Sequence, residues 1–449
     1  MSLDWTVVSL FAGCGGLDLG FHELGFKTRY AADHDAAAVK AYRHNLGAAI
    51  QLRDVTSSQF HSDIAQLGSA DVVLGGFPCQ GFSKAGPKRI GDERNALYLE
   101  MLRAVELLQP AIFIAENVDG LGQNFGGAYL QSILADFASI GYHVDHRLVD
   151  AVAYGIPQHR RRILFVGTRD GDRQFEWPVA THDLPRRNGE RAIDQETDDL
   201  FSVTSPLRRQ AARTIRDAIG DLPAIGHFPD HAVTDAWPEH YRHVFKAISP
   251  GQKLCNVRHA ASSVYTWQIP EVFGQVTSVQ RGILETISKH RRHKRYGDIP
   301  NGNPLPKEEI EELLGTKVPS SDISALLKLG YLKQVDSRYD LKGAMFCSGL
   351  FKRPLEDEPS PTVLTNFHNP RYFLHPTADR PFSLRECARL QGFPDSFEFV
   401  RSGISIEDGY RLVGNAVPPP LGRVIAKAAT AYLAALPKKR NHEEVVCAA

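Results

Sequence analysis

The chain has 449 residues, of which 43% are hydrophobic and 23% charged, with 52 basic and 52 acidic side chains in balance. This length allows two or three domains and a large core, and the composition is that of a globular protein, not a disordered or collagen-like one. Zero net charge excludes nucleic-acid binding by bulk charge and leaves any such binding to local patches.

The six cysteines (14, 79, 255, 347, 387 and 447) are far apart and form no CxxC pair. A zinc site and a disulfide framework are therefore not expected, and no metal is assigned. The first residues, Met1-Ser2-Leu3-Asp4-Trp5, carry no basic stretch followed by an apolar one, and no apolar run reaches membrane-spanning length. The expectation is a cytoplasmic protein without membrane contact, acting as a monomer.

Short apolar runs alternate with helical periods in the first third of the chain. Val7 to Phe11 reads as a strand, Leu17 to Leu24 as a helix, Thr28 to Ala32 as a strand and Ala36 to Asn45 as a helix. Val72 to Leu74, Ala111 to Ala115 and Ile163 to Gly167 read as further strands, with a helix over 96–108. This rhythm predicts an α/β fold with a doubly wound, Rossmann-like sheet. Residues 170–260 are rich in Asp, Arg, Pro and Trp and show weak periodicity. A compact helical pattern follows over 278–343. Regular βα-like sequence is expected after about 360, ending in an Ala-rich helix from Leu421 to Leu436.

Two loops carry chemistry. Phe11-Ala12-Gly13-Cys14-Gly15-Gly16 follows the first strand and precedes a helix, so its backbone can approach a ligand at a helix N-terminus. Asp33 closes the next strand and suits a ribose diol, and Asp54 suits an adenine amino group. With no Walker pattern, a nucleoside ligand such as S-adenosylmethionine fits. The second loop, Gly75-Gly76-Phe77-Pro78-Cys79-Gln80-Gly81-Phe82-Ser83, puts a thiol on the turn after a buried strand, where open α/β sheets bind ligands. Cys79 is the candidate nucleophile. The polar stretch from Ser83 to Asp92, with Gly86 and Gly91 within it, reads as a lid.

Together these motifs resemble the DNA (cytosine-5)-methyltransferases of bacterial restriction–modification systems. Phe11 to Gly16 is similar to their first cofactor motif, and Asp33 and Asp54 stand at their second and third carboxylate positions, although Glu is more usual at the former. Pro78-Cys79-Gln80, Glu116-Asn117-Val118 and Gln158-His159-Arg160-Arg161-Arg162 resemble the nucleophile, Glu-Asn-Val and Gln-x-Arg-x-Arg motifs. Arg385 to Pro394 and Gly414-Asn415-Ala416-Val417-Pro418-Pro419 resemble the ninth and tenth. The resemblance covers about 1–169 and 355–425.

The resemblance implies methyl transfer from S-adenosylmethionine to C5 of a flipped-out cytosine in duplex DNA. Cys79 would add to C6, making C5 nucleophilic. Glu116 would neutralise charge at N3. Arg160 and Arg162, alternate residues on an extended segment, would point the same way, one holding O2 and the other supporting Glu116 or a phosphate. Phe11, Ala12, Gly13, Gly15, Gly16, Asp33, His34, Asp54, Val55, Pro78, Asn415 and Val417 would hold the cofactor. Ser83, Lys84, Lys88 and Arg89 on the lid would meet DNA. A restriction endonuclease would share the site without needing to bind.

The implied domains are 1–169 for catalysis and cofactor, 170–355 for target recognition, 356–436 returning to the catalytic domain, and 437–449 as a tail. Within the recognition region, helices over 280–289, 305–315 and 321–330, the last capped by Ser321 or Asp322, precede a hairpin of Tyr331 to Val335 and Ser337 to Leu341. That is a winged helix-turn-helix pattern in which Ser320, Ser324, Lys328 and Arg338 would face DNA. The basic run over 289–295 would place Arg291, Arg292, Lys294 and Arg295 on phosphates. Two alternatives stand beside this reading: an RNA cytosine methyltransferase with the same motifs, which the long recognition region disfavours, and a catalytically silent DNA-binding protein, which intact Cys79, Glu116, Arg160 and Arg162 disfavour.

Overall fold

The computed structural model describes residues 4–78, 97–122, 128–169, 173–185, 209–233, 237–299, 302–342 and 349–437. It divides into two compact units. One comprises Met1–Leu222, Pro359–Thr365 and Cys387–Ala449, and the other Pro223–Glu358 and Asn366–Glu386. The sequence-based boundaries shift accordingly: 170–222 belongs with the first unit, and 366–386 belongs with the second.

The first unit runs β1 (Thr6–Leu10), α1 (Gly16–Glu23), β2 (Lys27–Asp33), α2 (Ala36–Leu46), β3 (Ile50–Leu52), α3 (Ser58–Leu67), β4 (Val72–Gly75), α4 (Tyr98–Leu108), β5 (Ile112–Val118), α5 (Ala128–Ser139), β6 (His143–Asp150), β7 (Arg161–Thr168) and α6 (Ile215–Ile219). The sheet order is β3-β2-β1-β4-β5-β7-β6. β1 to β5 pair in parallel, and β7 runs antiparallel to both β5 and β6. Strands of Val, Ile and Leu without polar alternation form because helices cover both faces. Alternate residues feed two cores: Val8, Leu10, Val73 and Phe113 on one side, and Val7, Val72, Leu74 and Ile112 on the other. The strand order reverses between β1 and β4, so the loops after them share the crevice where open sheets bind ligands.

In the second unit lie α7 (Glu239–Ala247), β8 (Lys253–Leu254), β9 (Ser263–Val264), α8 (Pro270–Phe273), α9 (Ser278–His290), β10 (Leu305–Pro306), α10 (Lys307–Leu314), α11 (Ser320–Lys328), β11 (Leu332–Val335) and β12 (Arg338–Leu341). β10, β12 and β11 make a three-stranded antiparallel sheet in that order. Two details differ from the sequence expectation. Leu305 and Pro306 are a short strand and not the first turn of α10, because Leu305 pairs with Tyr339. The residue before α11 is Pro319, and no side chain caps that helix.

The chain then forms α12 (Leu384–Leu390), within which the two units divide, and adds α13 (Ile406–Asn415) and α14 (Pro419–Ala434) to the first unit. The expected βα rhythm after 360 resolves into helices, with no strand among the described residues. α14 lies against α1 at glycine contacts. A Cβ on Gly20 would come within 2.1 Å of the Arg423 amide, and one on Gly422 within 2.6 Å of the Leu17 carbonyl. This close approach fixes the helix that carries the cofactor loop.

Candidate active site

Four segments converge at the reversal point of the sheet. The first is the loop from β1 into α1. Its glycines have separate roles. A Cβ on Gly15 (φ 90°) would strike Leu46 Cδ1 at 2.3 Å, and one on Gly16 would strike the Val417 carbonyl at 2.3 Å, so both are dictated by packing. Gly13 is left-handed (φ 57°), with nothing within 4 Å of an added Cβ. It faces open space. Phe11, not a glycine, also takes positive φ, at 54°. Such a conformation costs of order 1 kcal/mol and is held by its surroundings. Ala12 donates to the Ala32 carbonyl at 3.1 Å, tying the loop to β2.

The second segment is the end of β2. Asp33 is 8% exposed. Its Oδ2 accepts from the Gly13 amide and its Oδ1 from the Asp35 amide, at 2.8 and 2.9 Å. Burial raises its pKa, against those two hydrogen bonds. Asp35 in turn caps α2 and pairs with Arg411 of α13. His34 is exposed beside Asp33, at 3.6 Å. Asp54 is exposed, and its Oδ1 accepts from the Thr56 amide and hydroxyl, which lowers its pKa. Val55 is buried.

Third come β4 and β5. Pro78 is half-buried at the last described position before 97. Cys79, Ser83, Lys84, Lys88 and Arg89 lie outside the described residues. β5 extends past Ala115 through Glu116, Asn117 and Val118, because β7 continues to pair with it. Val118 sits opposite Arg162, so Glu116, two residues back, shares a sheet face with Arg162. Arg162 Nε donates to Glu116 Oε1 at 2.6 Å, with each side chain 12% exposed. A Cβ built on Gly76 would lie 3.8 Å from Glu116 Oε2, so this carboxylate stands over the start of the loop that leads to Cys79. Asn117 is 3% exposed, and its Nδ2 donates to the Phe77 carbonyl at 3.0 Å. It anchors the backbone two residues before Cys79.

Arg160 needs a correction. It is 1% exposed. Its Nη1 donates to the Val363 carbonyl at 3.1 Å and its Nη2 to the Gly414 carbonyl at 3.0 Å. It therefore does not offer its guanidinium to a base. Burial and the neighbouring Arg162 lower its pKa, with Glu116 opposing. Arg160 ties 359–365 and the end of α13 to the sheet. Gln158 and Gln391 do the same work: the Val363 amide donates to Gln158 Oε1 at 2.7 Å, and Gln158 and Gln391 bond each other. The fourth segment is thereby fixed. It places Asn415, exposed at the C-terminus of α13, and Val417, whose carbonyl abuts Gly16.

Sequence reasoning found Asn117 in its motif but gave it no role, and it missed the Asp35–Arg411 pair and Asp18. Asp18 is 2% exposed, and Tyr42 Oη donates to it at 2.9 Å. The Tyr42 ring also crowds the space that a Cβ on Gly15 would need. A charged residue at a buried helical position was the available signal.

The open side of Gly13, the buried carboxylate of Asp33 and the exposed carboxylate of Asp54 suit a nucleoside with a diol and an amino group. This arrangement and the seven-stranded sheet with β7 reversed define a class: nucleoside-cofactor methyltransferases of the S-adenosylmethionine type. The sequence profile of C-5 cytosine-specific DNA methylase matches residues 5–431. The chain is 32% identical over 428 residues to the Type II methyltransferase M.AgeI of Thalassovita gelatinovora, covering 94% of this chain and 98% of that one. It is 28% identical over 463 residues to M.HgiCII of Herpetosiphon aurantiacus, covering 95% and 96%. A prophage-encoded E. coli protein, described as a DNA modification methyltransferase, shares the fold with TM-score 0.53 at 23% identity, over 96% of this chain and 100% of that one. The chain belongs to the C-5 cytosine-specific DNA methylases. Its cofactor is S-adenosylmethionine, and it methylates cytosine in DNA.

Proposed function

We propose that the chain methylates one cytosine of a specific duplex DNA site through a covalent Cys79–C6 intermediate, protecting that site from a restriction endonuclease of the same specificity. The observation that carries this reading is the Glu116–Arg162 pair at 2.6 Å, standing over Gly76 on the loop that leads to Cys79. S-adenosylmethionine supplies an electrophilic methyl group, held by Gly13, Asp33, Asp54 and the residues beside them. A stacked base cannot reach such a crevice, so the target cytosine is flipped out of the duplex. The Cys79 thiolate adds to C6, and the C5=C6 electron pair moves to C5. A proton passed from Glu116 to N3 offsets the negative charge that builds in the ring. Arg162 holds the Glu116 side chain in place for that transfer. C5 would take the methyl as the S–CH3 bond breaks and its electron pair stays on the neutral thioether; loss of the C5 proton to solvent then expels the Cys79 thiolate and restores the ring. Asn117 ties the Phe77 carbonyl, two residues before Cys79, to the strand that carries Glu116.

Labelled methyl transfer to duplex DNA and to tRNA tests the reading. Wild-type protein is expected to make 5-methylcytosine in duplex DNA, and Cys79→Ser to make none while still binding DNA. Preferential labelling of tRNA, or turnover by Cys79→Ser near the wild-type rate, would refute it.

A further inference from the structure

Among the described residues, every buried carboxylate but one has a basic side chain beside it. Asp230 and Glu386 hold Arg385 and Arg380, at 2.6 and 2.7 Å. Asp150 lies 3.4 Å from His159, and Asp33 lies 3.6 Å from His34. Asp340 holds Arg291, itself 4% exposed, through two 2.8 Å bonds, which corrects the phosphate contact expected of that arginine. Arg295 is likewise claimed, by Glu309 and the Tyr296 ring, whereas Arg292, Lys294, Lys328 and Arg338 are exposed. The exception is Asp18, in the first turn of α1. It makes no ion pair among the described residues, and its side-chain partners are hydroxyls.

Those hydroxyls join four elements at one carboxylate. Tyr42 of α2 donates to Asp18 Oδ1 at 2.9 Å, and Ser9 of β1 bonds the same carboxylate. Both partners are buried. Thr28 of β2 bonds the Tyr42 oxygen in turn. The ring of Tyr42 is the floor beneath Gly15, where an added Cβ would lie 2.9 Å from Tyr42 Cδ2. The Gly15 amide donates to the Ala12 carbonyl at 2.9 Å and closes the turn that carries Gly13. The Gly13 amide is the one that Asp33 accepts from. The seat of the Tyr42 ring therefore sets the shape of this turn.

Asp18 holds this seat at a cost to the fold. Burial pushes its carboxyl up to about 6, with Asp33 adding to the push and the bonds from Ser9 and Tyr42 opposing it. The other titratable groups at this corner are neutral: burial pushes the Cys14 thiol up to about 12 and raises the Tyr42 phenol as well. The basic groups of α2, α13 and α14 are engaged or exposed. Arg411, Arg423 and His44 pair with Asp35, Glu23 and Glu398, and Lys40, Arg43 and Lys427 are exposed. An ionised Asp18 thus lowers stability at neutral pH, and a neutral side chain of the same shape would serve packing alone better. A charge kept buried against stability is characteristic of groups that serve function.

We propose that Asp18 is a positioning residue for S-adenosylmethionine: its carboxylate seats the Tyr42 ring under Gly15 and so holds the turn that carries Gly13. This rests on the reading that the loop from β1 into α1 holds the cofactor. The test uses the full chain carrying Asp18→Asn, Tyr42→Phe or both, titrated with S-adenosylmethionine in a calorimeter at pH 7.5 and pH 5.5, with melting temperatures in parallel. At pH 7.5, Asp18→Asn is expected to melt higher than wild type yet to bind the cofactor about tenfold more weakly. Tyr42→Phe keeps the ring but not the bond and should also weaken binding. The double variant should bind about as well as the weaker single one, because both changes break the same bond. At pH 5.5 the wild-type carboxyl is itself largely protonated, so the gap between wild type and Asp18→Asn should narrow to about twofold. A merely structural role would move the melting temperature alone. Wild-type affinity in Asp18→Asn and Tyr42→Phe at both pH values, with binding by Asp33→Ala weakened, would overturn this inference alone. Wild-type affinity in Asp33→Ala as well would sink the placement of the cofactor with it.

Discussion

The two units use charged and polar side chains in different ways. In the first, the motif residues divide between those proposed for the chemistry and those that fasten the fold. Glu116 and Arg162 pair beside Gly76, while Gln158, Arg160 and Gln391 are buried in bonds to backbone and to each other. In the second, the densest basic run divides between fastening and exposure. Arg291 is locked to Asp340, whereas Arg292 lies on the surface. In both, adjacent or alternate arginines do unlike work. Charge written in the sequence becomes available only where no internal acceptor claims it.

The largest expected effect separates Arg160 from Arg162. Arg160→Ala removes a buried guanidinium and strands the Val363 and Gly414 carbonyls, so it should cost about 3 kcal/mol or more in chemical denaturation. Arg162→Ala leaves the largely buried Glu116 unpaired and should also cost some stability, about 1–3 kcal/mol, but its distinguishing effect should be a kcat lower by about 10²–10³ at unchanged cofactor affinity. If Arg160→Ala kept full stability and lost only kcat, the fastening role would fail and the guanidinium would belong with the chemistry.

In the second unit, Arg291→Ala leaves the buried Asp340 only Lys333 at 3.3 Å, and should cost about 2–4 kcal/mol. Arg292→Ala, at an exposed position, should cost under about 0.5 kcal/mol. Its effect should instead fall on DNA affinity at low salt, equally for every duplex sequence. Equal melting temperatures for the two variants would contradict the division.

A smaller contrast concerns pH, and its sign differs between the units. Burial pushes the Asp18 carboxyl up to about 6, against hydrogen bonds from Ser9 and Tyr42. Its contribution to stability is present below the ordinary value and lost as pH rises through about 6. Glu386 is also buried, but bonds from Arg380 and His375 outweigh desolvation and bring its carboxyl to about 2. Its contribution is present above the ordinary value and lost as pH falls from about 4.5 towards 2. Asp18→Asn should therefore raise the melting temperature at pH 7.5 more than at pH 4. Glu386→Gln should lower it at pH 7.5 by an amount worth about 3 kcal/mol at most, and by less at pH 3. The reverse pattern would show that one of these environments has been misread.

Much of this is legible in the sequence. Strands buried on both faces carry runs of Val, Ile and Leu, which is why β1, β4, β5 and β7 stand out, whereas β2 is marked only by its buried end, Tyr30-Ala31-Ala32. β6 does not, because His143–Asp150 alternates polar residues along an edge strand and resembles a loop. β10 reads as helix, because only its pairing with Tyr339, over thirty residues on, makes Leu305 extended. The site residues are found by motif, but motif spacing does not say which arginine is buried. Arg160 and Arg162 have the same parity. The difference is made by the Val363 and Gly414 carbonyls, more than 200 residues away. Asp35 is silent for a similar reason, since Arg411, 376 residues later in the chain, defines it.

The central claim is that Cys79 attacks C6 of a cytosine held beside Glu116. Its most direct test is a duplex carrying 5-fluorocytosine at the position that bisulfite sequencing identifies as methylated. Fluorine cannot leave C5 as a proton does, so the intermediate is trapped. With S-adenosylmethionine present, wild-type protein should form a denaturant-resistant adduct, and peptide mass mapping should place the DNA on Cys79. An adduct on another residue, or turnover of natural DNA with no adduct on the fluorinated duplex, would contradict the account.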